Sequence, residues 1–205
     1  MKEELIKKQI VVFGGCFNPP LNSHFLLAEQ MVNEYKQIEK ILFVPVHSKY
    51  QKADLIHNEY RYHMLKLVCN KNEKFEVSRI EIDSEKQPYT IETLTKLQNI
   101  YQEYQICFTM GTDNLKQLSN WEKAEELVEK FKIYVFERGE DELEEIIQTS
   151  KFLRDNRQSL IKVENNVRSN LSSTFVRDKL KKRKSIRYIT PDEVISYIKE
   201  NKLYQ

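Results

Sequence analysis

Apolar residues along the chain follow two rhythms. Short unbroken runs at residues 10–13, 40–46 (KILFVPV), 105–110 and 132–136 read as buried strands, with a shorter one at 160–164. Residues 75–82 alternate apolar and polar like a strand with one covered face. Between these runs, apolar positions recur at helical spacing. Phe25, Leu26, Ala28, Met31 and Val32 mark a helix through about residue 35, capped by Asn22 or Ser23. Further helices are predicted over 58–69, 90–101 (opened by Thr90), 121–131, the acidic stretch 140–153, 173–182 and 191–201. Strands alternating with helices predict an α/β fold with a doubly wound, mostly parallel sheet and right-handed crossovers. No repeat, low-complexity segment or linker interrupts the pattern. A single domain over residues 1–205 is expected, with a core at 10–171 and a small helical part at 172–205.

Glycine placement adds a location. Gly14, Gly15, Gly111 and Gly139, the only four, fall at or just past the ends of apolar runs. That suits loops at the carboxyl ends of parallel strands, where such folds bind ligands. Charge removes some alternatives. Lys plus Arg is 33 and Asp plus Glu is 31, a net charge of +2, so no global basic field calls for nucleic acid. Seven basic residues lie within 177–187, but they read as a solvated helix face beside a phosphate site. No apolar run reaches membrane-spanning length, and residues 1–9 are polar without a signal core. Cys16, Cys69 and Cys107 show neither metal-ligand spacing nor a disulfide framework, and His47, His57 and His63 show no metal spacing. A reducing cytoplasm is the expected setting, with no metal-ligating set in the protein.

Two segments carry candidate chemistry. In Gly14-Gly15-Cys16-Phe17-Asn18-Pro19-Pro20-Leu21-Asn22-Ser23-His24, a strand meets a tight loop and then a helix start. Amides and a helix N-terminus converge there, equivalent to about half a positive charge. His24 at that point can donate to a phosphate oxygen, although an isolated histidine there would more often cap or pack. In Leu171-Ser172-Ser173-Thr174-Phe175-Val176-Arg177, three hydroxyls open a helix and Arg177 follows one turn after Ser173. Hydroxyls, helix amides and a guanidinium can cradle a triphosphate, while taken alone the segment reads as an ordinary cap.

Together the two segments resemble the signatures of HxGH-type nucleotidylyltransferases, and more narrowly of nicotinamide/nicotinate mononucleotide adenylyltransferases. Further matches follow in order over nearly the whole chain. They are Pro45-Val46-His47-Ser48-Lys49-Tyr50-Gln51-Lys52, then Arg61 and Met64, Tyr89-Thr90-Ile91-Glu92-Thr93-Leu94, Gly111-Thr112-Asp113 with Trp121, and Ser185-Ile186-Arg187-Tyr188 with Pro191. The resemblance implies a Rossmann-like fold and adenylyl transfer from ATP to the mononucleotide, with Mg²⁺ carried on the phosphates. It implies that Gly14, Gly15, Cys16, Phe17 and His24 face the ATP phosphates, with Ser172, Ser173, Thr174 and Arg177 opposite. It places Lys52 and Tyr50 near the mononucleotide, Thr90 and Asp113 near bound nucleotide, and Trp121 by the pyridine ring. The partners it implies are small molecules, with neither nucleic acid nor membrane; members range from monomers to hexamers. The tail and the loop 45–52 resemble the branch that uses nicotinamide or both mononucleotides.

One position departs from the pattern. The family places His or Thr where this chain has Leu21, and often Gly where it has Ser23. Leucine cannot donate a hydrogen bond, and loss of one preorganised donor costs on the order of 10²–10³ in rate. In one reading the Leu21 amide or Asn22 supplies the missing donor, and the enzyme works. In the other the protein binds nucleotide with weak or lost catalysis. If Leu21 is a defect, Leu21→Thr is expected to raise turnover. A transferase of the same superfamily with another acceptor is a further alternative.

Overall fold

The structure, a computed structural model, describes residues 7–52 and 54–205. Most of the polar stretch at 1–9 lies outside the described residues. Among them the chain runs β1 (Gln9–Gly15), α1 (Asn22–Glu34), β2 (Ile38–Pro45), α2 (Asn58–Cys69), β3 (Phe75–Val77), α3 (Thr90–Ile100), β4 (Gln105–Gly111) and α4 (Thr112–Leu115). It continues through α5 (Ala124–Lys130), β5 (Lys132–Phe136), α6 (Leu143–Thr149), α7 (Lys151–Asp155), β6 (Leu160–Lys162), α8 (Ser173–Lys181) and α9 (Asp192–Glu200). The strands form one sheet in the order β3-β2-β1-β4-β5-β6, and every pairing is parallel. The chain winds outward from β1 to β3, then returns to β4 and winds the other way. The strand order therefore reverses between β1 and β4, and a crevice opens beyond their carboxyl ends.

The two-residue period of the strands divides the core. Ile10 and Val12 of β1 join Leu42, Phe108, Met110 and Val135 on one face, covered by Leu94, Leu127 and Ile146 of α3, α5 and α6. Val11 and Phe13 join Ile41, Phe43 and Tyr134 on the other, covered by Met31 of α1 and Leu65 of α2. A third cluster packs Val176 of α8 and Val194 and Ile198 of α9 against Met64 and Leu21.

Three predicted elements differ. The strand expected over 75–82 stops at Val77. Phe43 pairs with Val77 and accepts from the Ser78 amide (2.9 Å); the next donor on that ladder would be residue 45, and Pro45 has no N–H. Residues beyond curl into a turn closed by Asp83 N–H donating to the Arg79 carbonyl (2.8 Å). The helix expected from Trp121 begins at Ala124, because Lys123 takes a left-handed backbone (φ 53°); Trp121 itself is extended, after a short 3₁₀ turn at Leu118–Asn120. The acidic helix over 140–153 is two helices, broken where Ser150 is extended.

Phe43 is the hub of the second face. It is fully buried, with Phe13, Phe17, Phe25 and Phe75 ring centroids 5.3–5.8 Å away. Phe43→Ala is expected to cost about 3–5 kcal/mol, seen as a lowered denaturant midpoint. A loss below about 1 kcal/mol would show that the cluster does not anchor the sheet.

Candidate active site

The crevice is a cleft of about 1000 Å³, and the candidate phosphate- and mononucleotide-binding residues, from Gly14 to Phe17, His24, Tyr50, Lys52, Thr90, Asp113, Trp121, Ser172 to Thr174 and Arg177, line it. Its floor is the loop that leaves β1. Four of that loop's carbonyl oxygens are occupied by donors from other elements. Gly15 O accepts from the Val46 amide (3.1 Å), Cys16 O from Arg61 Nη1 (3.1 Å), Asn18 O from Arg177 Nη1 (3.0 Å), and Pro19 O from the Ser173 hydroxyl (2.8 Å). The Asn18 side chain, buried, donates to Asp54 O (2.8 Å) and accepts from Tyr204 Oη (2.8 Å). Phe17 sits in the left-handed region (φ 46°), strain of order 1–3 kcal/mol that its buried ring helps to hold.

His24 stands in the first turn of α1. Its Nδ1 accepts from the Leu21 amide (3.0 Å), while its own amide donates to Leu21 O (3.1 Å). Nδ1 being the acceptor, the neutral ring carries its proton on Nε2, free to donate into the cleft. Phe17 and Phe13 meet the ring edge-on at centroid distances of 5.2 and 6.2 Å. Burial, and after it the positive charge of Arg138, push the His24 pKa down to about 4. The neutral form is therefore built into the folded site. The stability this contributes is whole above about pH 6.5 and is withdrawn as pH falls from there toward 4.

The facing wall is the N-terminus of α8. Ser172 caps it by accepting from the Phe175 amide (3.2 Å), and Arg177, buried, holds Thr174 Oγ1 (3.3 Å) as well as Asn18 O. The amides of the first helical turn have no partner within the helix. With the helix dipole they make this end of α8 the positive one, beside the β1 loop.

The remaining candidates ring the other end. Lys52 is exposed in the loop after β2, its amide donating to Tyr50 O (2.8 Å); Tyr50 is partly exposed. Thr90 opens α3. Asp113 lies in α4 and pairs with Arg138 Nη1 (2.9 Å). This pair lies across Gly111, where a Cβ would come within 2.4 Å of Asp113 Oδ1 and would have to displace the pair. Trp121 is half-buried and meets Phe108 edge-on at 6.3 Å.

A cytidylyltransferase-like family model matches residues 12–179. A protein of Lachnoclostridium phytofermentans, described as a probable nicotinate-nucleotide adenylyltransferase, is 31% identical over 96% of this chain and 99% of its own. One of the same description from Caldicellulosiruptor bescii is 31% identical over the same shares. The chain belongs to the nicotinate-nucleotide adenylyltransferases of the cytidylyltransferase-like family. The fold is also that of the Plasmodium falciparum nicotinic acid mononucleotide adenylyltransferase complexed with NaAD. The two superpose with a TM-score of 0.80 at 20% identity, over 96% of this chain and 97% of that one. The same protein complexed with APC gives 0.75 at 21% identity, with the same coverage.

Within this family member, the reading in which Leu21 or Asn22 supplies the missing donor needs correction. Its side chain is buried in the third core cluster, against Met64, Val176 and Val194. Its amide is taken by His24, and Asn22 donates its amide to Ile189 O (2.9 Å) and its side chain to Tyr188 O (2.9 Å). The Leu21 amide is therefore occupied, and Asn22 is not among the residues that line the cleft. Leu21 is also the cap of α1, a place expected for Asn22 or Ser23.

Several lining residues were not found from the sequence. Arg138 follows β5 directly, a position that marks the mouth of a parallel sheet. Glu81, buried, accepts from Thr93 Oγ1 (2.8 Å) and Gln87 Nε2 (2.8 Å), and burial raises its pKa. Glu137 is buried too; burial pushes its pKa up, but Lys162 (2.8 Å) and then Arg168 hold it below the usual value. It brackets the Asn166 side chain and so fixes the wall beyond β6.

Leu21→Thr is expected to leave turnover unraised and to cost about 2–4 kcal/mol, from a cavity and a buried hydroxyl. Steady-state kinetics and thermal melting check both. Faster turnover would restore the view of Leu21 as a defect.

Proposed function

We propose that the protein transfers the adenylyl group of ATP to nicotinate mononucleotide, releasing pyrophosphate and making the dinucleotide from which NAD is built. The observation that carries this reading is the two-sided anion site, with the β1 loop and the α8 N-terminus joined by Ser173 to Pro19 and Arg177 to Asn18. Trp121 supplies a flat wall for a pyridine ring, worth about 1–3 kcal/mol if it stacks. The nicotinate acceptor follows the relatives' descriptions, where the sequence left nicotinate and nicotinamide both open. The reading of weak or lost catalysis is less favoured, since the Leu21 side chain is buried in the third core cluster and packs there.

In the reaction, a phosphate oxygen of the mononucleotide attacks the α-phosphorus of ATP. A new P–O bond forms as the bond to the bridging oxygen breaks, and pyrophosphate departs with that electron pair. The attacking oxygen needs no proton removed, so the site has to position reactants and stabilise charge. A neutral His24 suits this work. Its Nε2–H donates to a phosphate oxygen and takes no proton. The α8 amides, with Arg177 behind them, hold the departing pyrophosphate, and Lys52 adds positive charge from the acceptor side. Among the described residues no group of three His, Cys, Asp or Glu gathers to hold a metal. Mg²⁺ arriving with ATP would neutralise phosphate charge, held mainly by substrate oxygens and water. Among the same residues, no helix is long and apolar enough to cross a membrane.

Pyrophosphate release with ATP and each mononucleotide in parallel tests the reading. Turnover is expected with nicotinate mononucleotide, at least about tenfold above that with nicotinamide mononucleotide, a margin of about 1.4 kcal/mol. ATP binding without turnover on either would sink it, and a nicotinamide preference would overturn the acceptor. His24→Ala should lower kcat by about 10²–10³. With His24 at about 4, no ionisation belonging to it should appear between pH 6 and 8; a step there that disappears in His24→Ala would contradict the neutral donor.

A further inference from the structure

We infer that Arg61 is a positioning residue that locks the phosphate loop and the Lys52 loop into one unit, an inference that rests on the adenylyl-transfer reading. Arg61 is wholly buried on α2. Each of its guanidinium nitrogens donates to a backbone carbonyl from a different place. Nη1 reaches Cys16 O (3.1 Å) in the phosphate loop, Nη2 reaches Val46 O (2.6 Å), and Nε reaches Ile56 O (3.0 Å). Val46 and Ile56 bracket the segment that carries Tyr50 and Lys52. One rigid plane therefore fixes both ends of that segment and ties them to the floor of the anion site.

Fold stability alone does not account for this arrangement. A buried cation is expensive, and an apolar side chain of similar volume would avoid that cost at the loss of the donors to Cys16 O, Val46 O and Ile56 O. No donor of Arg61 goes to a carboxylate; Glu81, the buried acid in this part of the cleft wall, is bonded to Thr93 and Gln87 instead. The guanidinium thus keeps its charge behind a loop that has to receive phosphates. Its planar fork satisfies three carbonyls at set angles, which a lysine cannot reproduce. The consequence is coupling: Lys52 can act on the reacting phosphates only while its loop keeps register with the β1 loop, and Arg61 sets that register.

The test compares Arg61→Lys, Lys52→Ala and the double variant in adenylyl transfer, with hydrogen exchange on the ligand-free proteins. Arg61→Lys should lower kcat about 30–100-fold with smaller changes in KM, the scale of a misplacement of about 1 Å. Lys52→Ala should then cost at most about threefold more in that background, far less than in the wild type. Segments 15–20 and 46–57 should exchange together at least about tenfold faster, with β4 and β5 unchanged. Losses that multiply, or exchange that rises across the whole sheet, would overturn the inference and leave a role in the fold alone. Should Arg61→Lys not fold, Arg61→Gln takes its place, and failure of both to fold would also overturn it. A wild type without transfer activity would sink the functional reading, while the exchange data would still decide the role of Arg61.

Discussion

A polyanion can rest against backbone only where the carbonyl oxygens face away from it. Between Gly15 and Pro19 four carbonyls are occupied by donors of the protein: the Val46 amide, Arg61, Arg177 and Ser173. Each donor comes from a different element, so the loop's shape depends on the whole assembly. Val46 follows β2, Arg61 sits on α2, and Ser173 and Arg177 belong to α8. Residues far apart in sequence thus join in one requirement, that four carbonyls of the loop be satisfied.

The sheet makes this possible by location, and the aromatic core by rigidity. Strand order reverses beside β1, so its exit loop opens into a crevice walled from both sides. Phe17 holds a backbone conformation that a bulky residue seldom takes, and its ring is wedged among Phe13, Phe43 and His24. The packing that builds the core therefore also holds the strained turn of the site. Close approach does the same at β4, where Gly111 leaves room for Asp113 and Arg138 to pair.

How much of this was legible in the sequence depends on which rule wrote each part. Strand and helix periods located β1, α2 and β5 closely, because burial on fixed faces dictates those periods. The end of β3 was hidden because it depends on Pro45 in the neighbouring strand, a pairing that no local pattern records. The start of α5 was hidden because the left-handed turn falls on a lysine, which carries no turn signal. At the site, segments whose residues share a loop could be read, and residues that act across the fold could not. Arg61 did leave a trace: a charged residue on the same helical stripe as Met64 and Leu65, where an amphipathic helix should be apolar.

Position 21 shows why a motif can lose a residue type and keep its geometry. The structure asks its backbone for two things, a carbonyl for the His24 amide and an amide for His24 Nδ1. Any residue but proline supplies both. The second bond fixes the imidazole tautomer, and so the donor that faces the phosphates, without using the side chain at 21 at all. That side chain points the other way, toward α8 and α9, where an apolar group packs better than a hydroxyl or an imidazole. Leucine at this position strengthens the contact that holds α8 against the loop. Since α8 brings Ser173 and Arg177 to the carbonyls of Pro19 and Asn18, the substitution that looked like a missing donor supports the anion site from behind.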